Sequence, residues 1–409
     1  MDADEIEELA RKGVDTSSIA ASKPSDGMTL RERWRRTMHY QTVNQIPNME
    51  FGYWAETLPE WHQQGLPPHV KDEGSAYEFF GIESWTGVWV NTGLLPAFPH
   101  EIVKEDDQYQ IYRDGNRTLC QINKVGHKSI PHYIEFGLKN RKDWEEFKER
   151  LNPDDPARVP QNLPEINKAL TASGKPVCIG TGSMIGVPRN WIGFEDIALM
   201  TYDDPELLEE IIDTLCTVTC TVLEKVLTEV TVDFGAGWED ICFNSGPIVS
   251  PSFMRSVVLP RYRRITDVLR KHGVNLHWTD CDGNINPIAD VLLEGGINIM
   301  FPVEVNGGTD PVTLRKRFGT DMRFQGGFCK MKFLEGPKAV EAELQRLLPL
   351  VREGGFVPGV DHRVQADAPL ATYMYYMKRK RELYNVGGTP QYDESKVRLV
   401  GNRVELPKL

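Results

Sequence analysis

The chain has 409 residues, of which 40% are hydrophobic and 26% are charged, an ordinary composition for a globular protein. Its formal net charge of −12 argues against binding to nucleic acid or to an anionic membrane, because both require a basic surface. No apolar run approaches the roughly 20 residues that span a bilayer. The N-terminal segment is acidic and lacks the basic start and apolar core of a signal peptide, so we expect a cytoplasmic protein.

The seven cysteines are irregularly spaced, which predicts reduced thiols rather than a disulfide framework. The sequence contains no CxxC pair, and this excludes a zinc ribbon or a thioredoxin-like redox site. It also lacks the GxxxxGK[ST] motif of P-loop nucleotide hydrolases. Any chemistry carried by cysteine is therefore expected from single thiols that the fold brings to other groups.

The first part of the chain is irregular in pattern. We predict a short helix and a polar linker over 1–28, a helix at about 29–40, and an apolar strand that begins at Pro47. Residues 65–135 are rich in glycine, proline, aromatic and β-branched residues, which is typical of strands and hairpins. We interpret this segment as a β-rich excursion beside the main sheet.

From about residue 140, short apolar strands alternate with amphipathic helices at least six times. The predicted helices are 141–151, the segments that follow Pro205 and Pro251, 286–295, 310–318, 335–352 and 367–385. The predicted strands are 176–182, 230–237, 274–278, 297–301, 322–326 and 355–360. This alternation indicates an α/β fold with a parallel sheet, and the absence of GxGxxG at the strand ends favours a (β/α)₈ barrel over 29–385. The tail 386–409 is predicted to be a surface extension.

Ionisable or thiol side chains follow five of the predicted strands. They are Glu239 and Asp240 after Trp238, His277 with Asp280, Cys281 and Asp282, Glu304, Cys329, and Asp361 with His362 and Arg363. Because the carboxyl ends of barrel strands form the active site, we expect these side chains to converge on one rim. Histidine, cysteine and carboxylate groups in one place suit Zn²⁺.

Each of these residues also has a structural explanation. The cysteines fit buried packing positions as well as ligand positions. The Asp-Gly and Asp-His pairs fit turns and helix caps as well as acid–base groups. The aromatic segment from Phe51 to Trp54 fits either the lining of an apolar pocket or ordinary core.

Between about 29 and 385, and most strongly from 175 onward, the chain resembles the uroporphyrinogen decarboxylase superfamily, which includes zinc-dependent, corrinoid-linked methyltransferases. The resemblance rests on segments that follow one another in the family's order: GTGSMIGVPRNWIGFEDIALMTYDDPELLEEII, NSGPIVSPSFMRSVVLPRYRRI, the stretch from His277 to Asn284, FQGGF and GGFVPGVDHRVQADAPL. It implies a (β/α)₈ TIM barrel, in agreement with the alternation of strands and helices.

The resemblance distinguishes two branches of the superfamily. Porphyrin decarboxylases carry the motif RQAGRYLPEY, and this chain has GYWAETLPEW from Gly52 to Trp61 in the same frame. Gly52 and Glu56 stand where that motif has its two arginines, which would pair with substrate propionates. The resemblance therefore implies the methyltransferase branch and not uroporphyrinogen decarboxylation.

The methyltransferase branch holds zinc through a His-x-Cys motif at one strand end and a cysteine in a late PGCG-like loop. Here the first motif becomes His277 followed by Cys281 and Asp282, and the late loop becomes Pro358 to His362. The expected metal ligands are His277, Cys281, Cys329 and His362. The expected catalytic carboxylates are Glu239, Asp240, Asp282 and Asp361. The expected substrate-binding residues are Tyr53, Trp54, Trp238, Glu304 and Arg363.

The resemblance implies transfer of a methyl group from a methoxylated aromatic or methylamine-like donor to a corrinoid carried by a partner protein. Zinc would stabilise the leaving alkoxide or phenoxide. Two alternatives stay open. The first is a metal-independent lyase acting on another carboxylated substrate, with Asp240, Asp282 and His362 as acid–base groups. The second is a non-catalytic ligand-binding barrel. A homodimer is a further expectation from the resemblance.

Overall fold

The computed structural model describes residues 27–125, 131–400 and 403–406, so most of the predicted N-terminal segment 1–28 lies outside the described residues. The helices are α1 Leu30–Met38, α2 Thr57–Gln63, α3 Glu73–Phe80, α4 Arg141–Lys148, α5 Leu163–Ala172, α6 Gly186–Ile192, α7 Phe194–Asp203, α8 Pro205–Leu227, α9 Pro251–Phe253, α10 Leu259–Lys271, α11 Ala289–Glu294, α12 Pro311–Phe318, α13 Lys332–Glu335, α14 Pro337–Glu353 and α15 Leu370–Tyr384. A π-helical turn, Met254–Val258, joins α9 to α10. Short 3₁₀ turns lie at Pro156–Arg158, Gly319–Asp321 and Glu394–Lys396.

The strands are β1 Thr86–Val88, β2 Glu101–Glu105, β3 Tyr109–Arg113, β4 Leu119–Asn123, β5 His132–Glu135, β6 Val177–Gly182, β7 Phe234–Trp238, β8 Cys242–Phe243, β9 Gly246–Pro247, β10 His277–Asp280, β11 Ile299–Phe301, β12 Arg323–Phe328, β13 Phe356–Val360, β14 Arg398–Val400 and β15 Arg403–Glu405. The protein is a mixed α/β protein with a central parallel sheet of seven strands, which confirms the predicted α/β fold with a parallel sheet. The described residues form two compact units. The first contains Thr86–Ser173 and Val177–Ile299, and the second contains 27–85, Gly174–Pro176 and the residues from Met300 onward.

In the first unit, β1, β6, β7 and β10 lie side by side in that order and run parallel. The prediction that the segment around β1 belongs to the β-rich excursion is wrong, because Thr86 pairs with Val177 in the parallel sheet. The excursion itself is a separate antiparallel sheet in the order β2, β3, β4 and β5. The long helix α8 begins where Pro205 predicts, and the side chain of Asp204 caps it by accepting the amide of Leu207.

In the second unit, β12 pairs in parallel with β13, with Phe324 opposite Phe356. The apolar segment that begins at Pro47 was predicted to be a strand. It has no regular secondary structure instead, and Tyr53 forms an isolated bridge with Val364. The described part of the tail contains a short hairpin of β14 and β15. Among the described residues, no helix combines the length and the apolar character needed to cross a bilayer.

Candidate functional site

Three aspartates meet at the carboxyl edge of two neighbouring parallel strands of the first unit. Asp280 ends β10 opposite Trp238, which ends β7, and the amide of Glu239 donates to the carbonyl of Asp280. Asp240 and Asp282 each follow two residues after these strand ends. One ligand atom from each of Asp240, Asp280 and Asp282 lies within 4.8 Å of the others, and all three residues are partly buried. We call these three residues the acidic cluster.

Asp240 has a backbone that non-glycine residues rarely adopt, with φ of 48°. Strained residues of this kind concentrate at functional sites, where the surrounding structure holds them in place. Arg189 of α6 supplies part of that support, since its guanidinium donates to the carbonyl of Asp240. The same guanidinium lies over the rings of Phe194 and Trp238, at 4.8 and 5.6 Å from the ring centroids. An arginine and two aromatic rings therefore stand beside the acidic cluster.

Glu239 is the best-satisfied carboxylate of this region. It accepts the amides of Met184, Ile185 and Gly186 at the start of α6, and the hydroxyls of Ser183 and Tyr262, all at 2.6 to 2.9 Å. Its exposed fraction is 2%. The carboxylate thus accepts hydrogen bonds from amides at a helix N-terminus that have no partner within the helix, where negative charge is favourable. This arrangement supports a structural role for Glu239 rather than the expected catalytic one.

His277 begins β10 instead of ending a strand, so it lies away from the carboxyl edge where Asp280 stands. Its Nε2 is 2.8 Å from the hydroxyl of Thr181, and its ring fits against Gly235, where a Cβ would stand 2.5 Å from the ring. The cavity beside it has a volume of about 10 Å³. That is room for a single water molecule at most and not for a substrate. These contacts are those of a buried structural histidine and do not support the expected metal ligand.

Burial lowers the pKa of His277 to about 3 from its usual value of 6.5. The folded protein therefore keeps this ring neutral, whereas the unfolded chain takes up a proton below pH 6.5 or so. We expect His277 to reduce stability as the pH falls from about 6.5 towards 3, by about 1.4 kcal/mol per pH unit, and to have no such effect above 6.5. Urea unfolding of His277→Gln across this range should show a flatter pH dependence than the unchanged protein.

The exposed His132 on β5 provides the matched control. His132→Gln should leave the pH dependence of unfolding unchanged. If the profiles of His277→Gln and the unchanged protein run parallel between pH 4 and 6.5, the histidine is protonated in the folded state and this account of its environment is wrong.

Cys281 lies within the acidic segment but is 2% exposed. The neighbouring thiol of Cys242 and burial raise its pKa well above the usual value. Cys281 belongs to no group of three potential metal ligands within reach of one ion among the described residues. The structure favours a packing role for Cys281, one of the two explanations that the sequence allows.

In the second unit, Asp361 is fully buried after β13. Its carboxylate accepts the amides of Val305 and Lys330 at 2.9 and 2.8 Å, and burial raises its pKa to about 6. It therefore ties together the loops that follow β11, β12 and β13. Cys329 is also buried, and this burial is the main reason that the pKa of its thiol is raised. Its backbone amide donates a hydrogen bond to the carboxylate of Glu343. These contacts give both residues positions in the framework of the unit.

The remaining candidates of the second unit divide into core and partly exposed residues. Tyr53 is core, and its hydroxyl is 2.9 Å from that of Tyr373. Trp54 is partly exposed and stacks on the ring of His362 with centroids 5.4 Å apart. Arg363 donates to Glu73 at 2.6 Å and to the carbonyl of Tyr53. The carbonyl of Glu304 accepts the amides of Gly307 and Thr309, in a turn after β11.

Among the described residues, the acidic cluster is the one group in which three potential ligand side chains lie within reach of one ion. No such group contains His277, Cys281, Cys329 or His362. The donor atoms of the cluster are all carboxylate oxygens, which suit hard divalent cations and are also accepted by zinc. The sequence places all three members after predicted strands, but we assigned a catalytic role only to Asp240 and Asp282. Asp280 received no role, although the segment DCD after a predicted strand was a visible signal.

Comparisons with known proteins agree with the fold. A methyltransferase from Methanosarcina mazei has a similar structure, with a TM-score of 0.58, 17% sequence identity, and coverage of 88% of this chain and 100% of that one. No curated protein matches the sequence. The sequence model of the uroporphyrinogen decarboxylase (URO-D) family matches residues 124–383, well over half of the chain. The chain therefore belongs to the uroporphyrinogen decarboxylase (URO-D) family.

Proposed function

We propose that the protein is a metal-dependent methyltransferase that moves a methyl group from a small methylated donor to a corrinoid carried by a partner protein. The acidic cluster is the observation that supports this proposal most directly. Three carboxylates stand at the carboxyl edge of adjacent parallel strands, where enzymes with such sheets carry their active sites. The structural likeness to a methyltransferase supports the fold that the proposal requires.

Asp240, Asp280 and Asp282 would hold the metal through one carboxylate oxygen each. Their separation of up to 4.8 Å is slightly wider than the roughly 4.2 Å between opposite oxygens around Mg²⁺, so small side-chain rotations would close the site. When bound, a divalent ion supplies Lewis-acid stabilisation of the oxygen or nitrogen that loses the methyl group. The resemblance to zinc-dependent enzymes makes zinc the first ion to test. The ligands that the sequence predicted for zinc, His277, Cys281, Cys329 and His362, do not come together around one ion among the described residues.

The residues of this chain contribute position and charge. Arg189 holds the backbone of Asp240 in its strained conformation through the hydrogen bond to its carbonyl. Glu239 fixes the start of α6, and thereby the helix that carries Arg189. The site is thus organised before any ligand binds, which limits the cost of ordering it at each turnover.

A direct assay uses the protein purified without chelator, cob(I)alamin as methyl acceptor, and a panel of methoxylated aromatics and methylamines. We expect formation of methylcobalamin with at least one donor class, loss of the activity after treatment with EDTA, and recovery when Zn²⁺, Mn²⁺ or Mg²⁺ is added back. Methyl transfer that survives complete metal removal contradicts metal dependence. Absence of methylcobalamin with every donor favours the lyase alternative, in which the carboxylates act as acid–base groups.

Although the chain belongs to the uroporphyrinogen decarboxylase family, we do not expect it to decarboxylate uroporphyrinogen. Gly52 has a φ of 96°, and a Cβ added there would stand 2.2 Å from a carboxylate oxygen of Glu73. An arginine at this position would be strained and would collide with the ion pair between Glu73 and Arg363. The backbone conformation at position 52 therefore disfavours an arginine that could hold a propionate.

We accordingly expect no decarboxylation when uroporphyrinogen is incubated with the purified protein under reducing, anaerobic conditions. Mass spectrometry of the porphyrins should show the same number of carboxyl groups before and after incubation. Carbon dioxide release above that of heat-inactivated protein would overturn the assignment of this chain to the methyltransferase branch.

A further inference from the structure

Arg189 is a buried cation whose hydrogen bonds among the described residues do not go to a carboxylate, although the charges of Asp240 and Glu239 lie near enough to favour its protonated form. It is 8% exposed, and burial lowers its pKa. Its hydrogen bonds go to the carbonyl of Asp240 and to the side-chain oxygen of Asn190, and its faces contact two aromatic rings.

The hydrogen bonding of the Arg189 guanidinium is incomplete without a ligand. A buried guanidinium has lost much of its hydration, and a carbonyl, an amide oxygen and two ring faces replace only part of it. Guanidinium has five N–H donors in a planar fork, and the three hydrogen bonds of Arg189 use three of them. Two donors are therefore available to an incoming acceptor, and the fork matches the geometry of a carboxylate.

The residues around Arg189 also indicate which other chemical group the ligand carries. Phe194 lies against the guanidinium and against Phe243, with ring centroids 5.8 Å apart. These two side chains are 37% and 53% exposed, so the approach to Arg189 is flanked by accessible aromatic surface. A flat apolar ring beside a carboxylate would contact both features at once. On its other side, Arg189 is bonded to the backbone of Asp240, a member of the acidic cluster.

We propose that Arg189 binds the carboxylate of the substrate, and that the substrate is a methoxylated aromatic carboxylate. The inference rests on the proposed function for the nature of the methyl donor. It adds a charge requirement that the acidic cluster alone does not imply. The carboxylate pairs with Arg189, the aromatic ring lies along Phe194 and Phe243, and the methoxy group is directed towards the acidic cluster.

Binding of a matched pair of compounds tests this without any methyl transfer. Calorimetry with 3-methoxybenzoate and with the neutral 3-methoxybenzamide should show tighter binding of the acid to the unchanged protein. In Arg189→Gln, we expect the affinity for the acid to fall by about 10- to 100-fold, the range for a lost hydrogen bond to a charged group, with no change for the amide. Arg264→Gln, on the exposed side of α10, is the control and should bind both compounds normally.

Two further measurements keep the test decisive. Arg189→Lys retains the charge but not the planar fork, so it should bind the acid more weakly than the unchanged protein. This variant provides the test if Arg189→Gln fails to fold. The inference is overturned if the unchanged protein binds acid and amide equally, or if Arg189→Gln and Arg189→Lys both bind the acid as tightly as the unchanged protein. Arg189-dependent binding of the acid without transfer to cob(I)alamin would sink the proposed function alone, and methyl transfer from neutral donors only would sink the carboxylate inference alone.

Discussion

Asp280→Asn and Asp282→Asn are each expected to lower methyl transfer to cob(I)alamin by at least about 100-fold and to release bound divalent metal. Each substitution replaces a charged oxygen ligand by an amide, and a site of three carboxylates loses a third of its charge. Metal analysis of the purified variants and the initial rate of methylcobalamin formation measure the two effects. They should fall together, because the metal supplies the Lewis acid for the step.

Asp107 gives the matched control for these substitutions. It is an exposed aspartate in the turn between β2 and β3 of the same unit, far along the chain from the strand ends that carry the acidic cluster. Asp107→Asn should retain full metal content and rate. Variants of Asp280 and Asp282 that keep both their metal and their activity would show that the acidic cluster is a solvated surface feature.

Glu239→Gln is expected to affect stability more than chemistry, with a loss of about 3 kcal/mol or more in the free energy of unfolding. The carboxylate accepts five hydrogen bonds, and an amide nitrogen in place of one oxygen would face donors such as the amides of Ile185 and Gly186. Chemical unfolding followed by circular dichroism measures the loss. The two compact units make a multi-step transition a reasonable expectation, so midpoints should be compared at each step.

Glu195 stands exposed in the first turn of α7 and serves as the control for Glu239. Glu195→Gln should change the unfolding free energy by less than about 1 kcal/mol, the usual range for a charge near a helix start. A Glu239→Gln variant that is as stable as Glu195→Gln but has lost methyl transfer would return Glu239 to the catalytic role that its sequence position first indicated.

The alternation of strands and helices could be predicted well because it depends on local pattern. Pro205 and Pro311 fall at the first position of α8 and α12, and an aspartate caps each helix. The apolar strands between the helices are short and continuous, as expected for a parallel sheet. The segment around Thr86 was misassigned, because three residues of a parallel strand carry the same local pattern as a hairpin in a glycine-rich region.

The candidate site was harder to predict because a shift of a few residues changes which side chains reach the strand end. The apolar run VNLHW suggested a strand that ends near His277, whereas the strand begins at His277 and ends at Asp280. Because Thr279 and Asp280 are polar, a prediction based on hydrophobic residues ends the strand before them. In the structure, Asp280 therefore lies at the carboxyl edge of the sheet, and His277 lies at the start of the same strand.

Arg189 illustrates a second limit. In the sequence it appears in a short helix as one arginine among many, and nothing local indicates that it is 8% exposed. Its burial follows from contacts with Trp238 and Asp240, which lie about fifty residues further along the chain. Glu239 was similarly recognised as a carboxylate at a strand end, but its five donors come from the start of α6 and from α10. Only the fold reveals which buried charges are satisfied.

The most direct test of the account is the location of a bound metal. A crystal soaked in ZnCl₂ and measured on both sides of the zinc absorption edge would give its position by anomalous scattering. We predict one strong peak between Asp240, Asp280 and Asp282, with oxygen ligands at about 2.0 to 2.2 Å. A peak at His277 or Cys281 instead, or no peak at the acidic cluster, would contradict it.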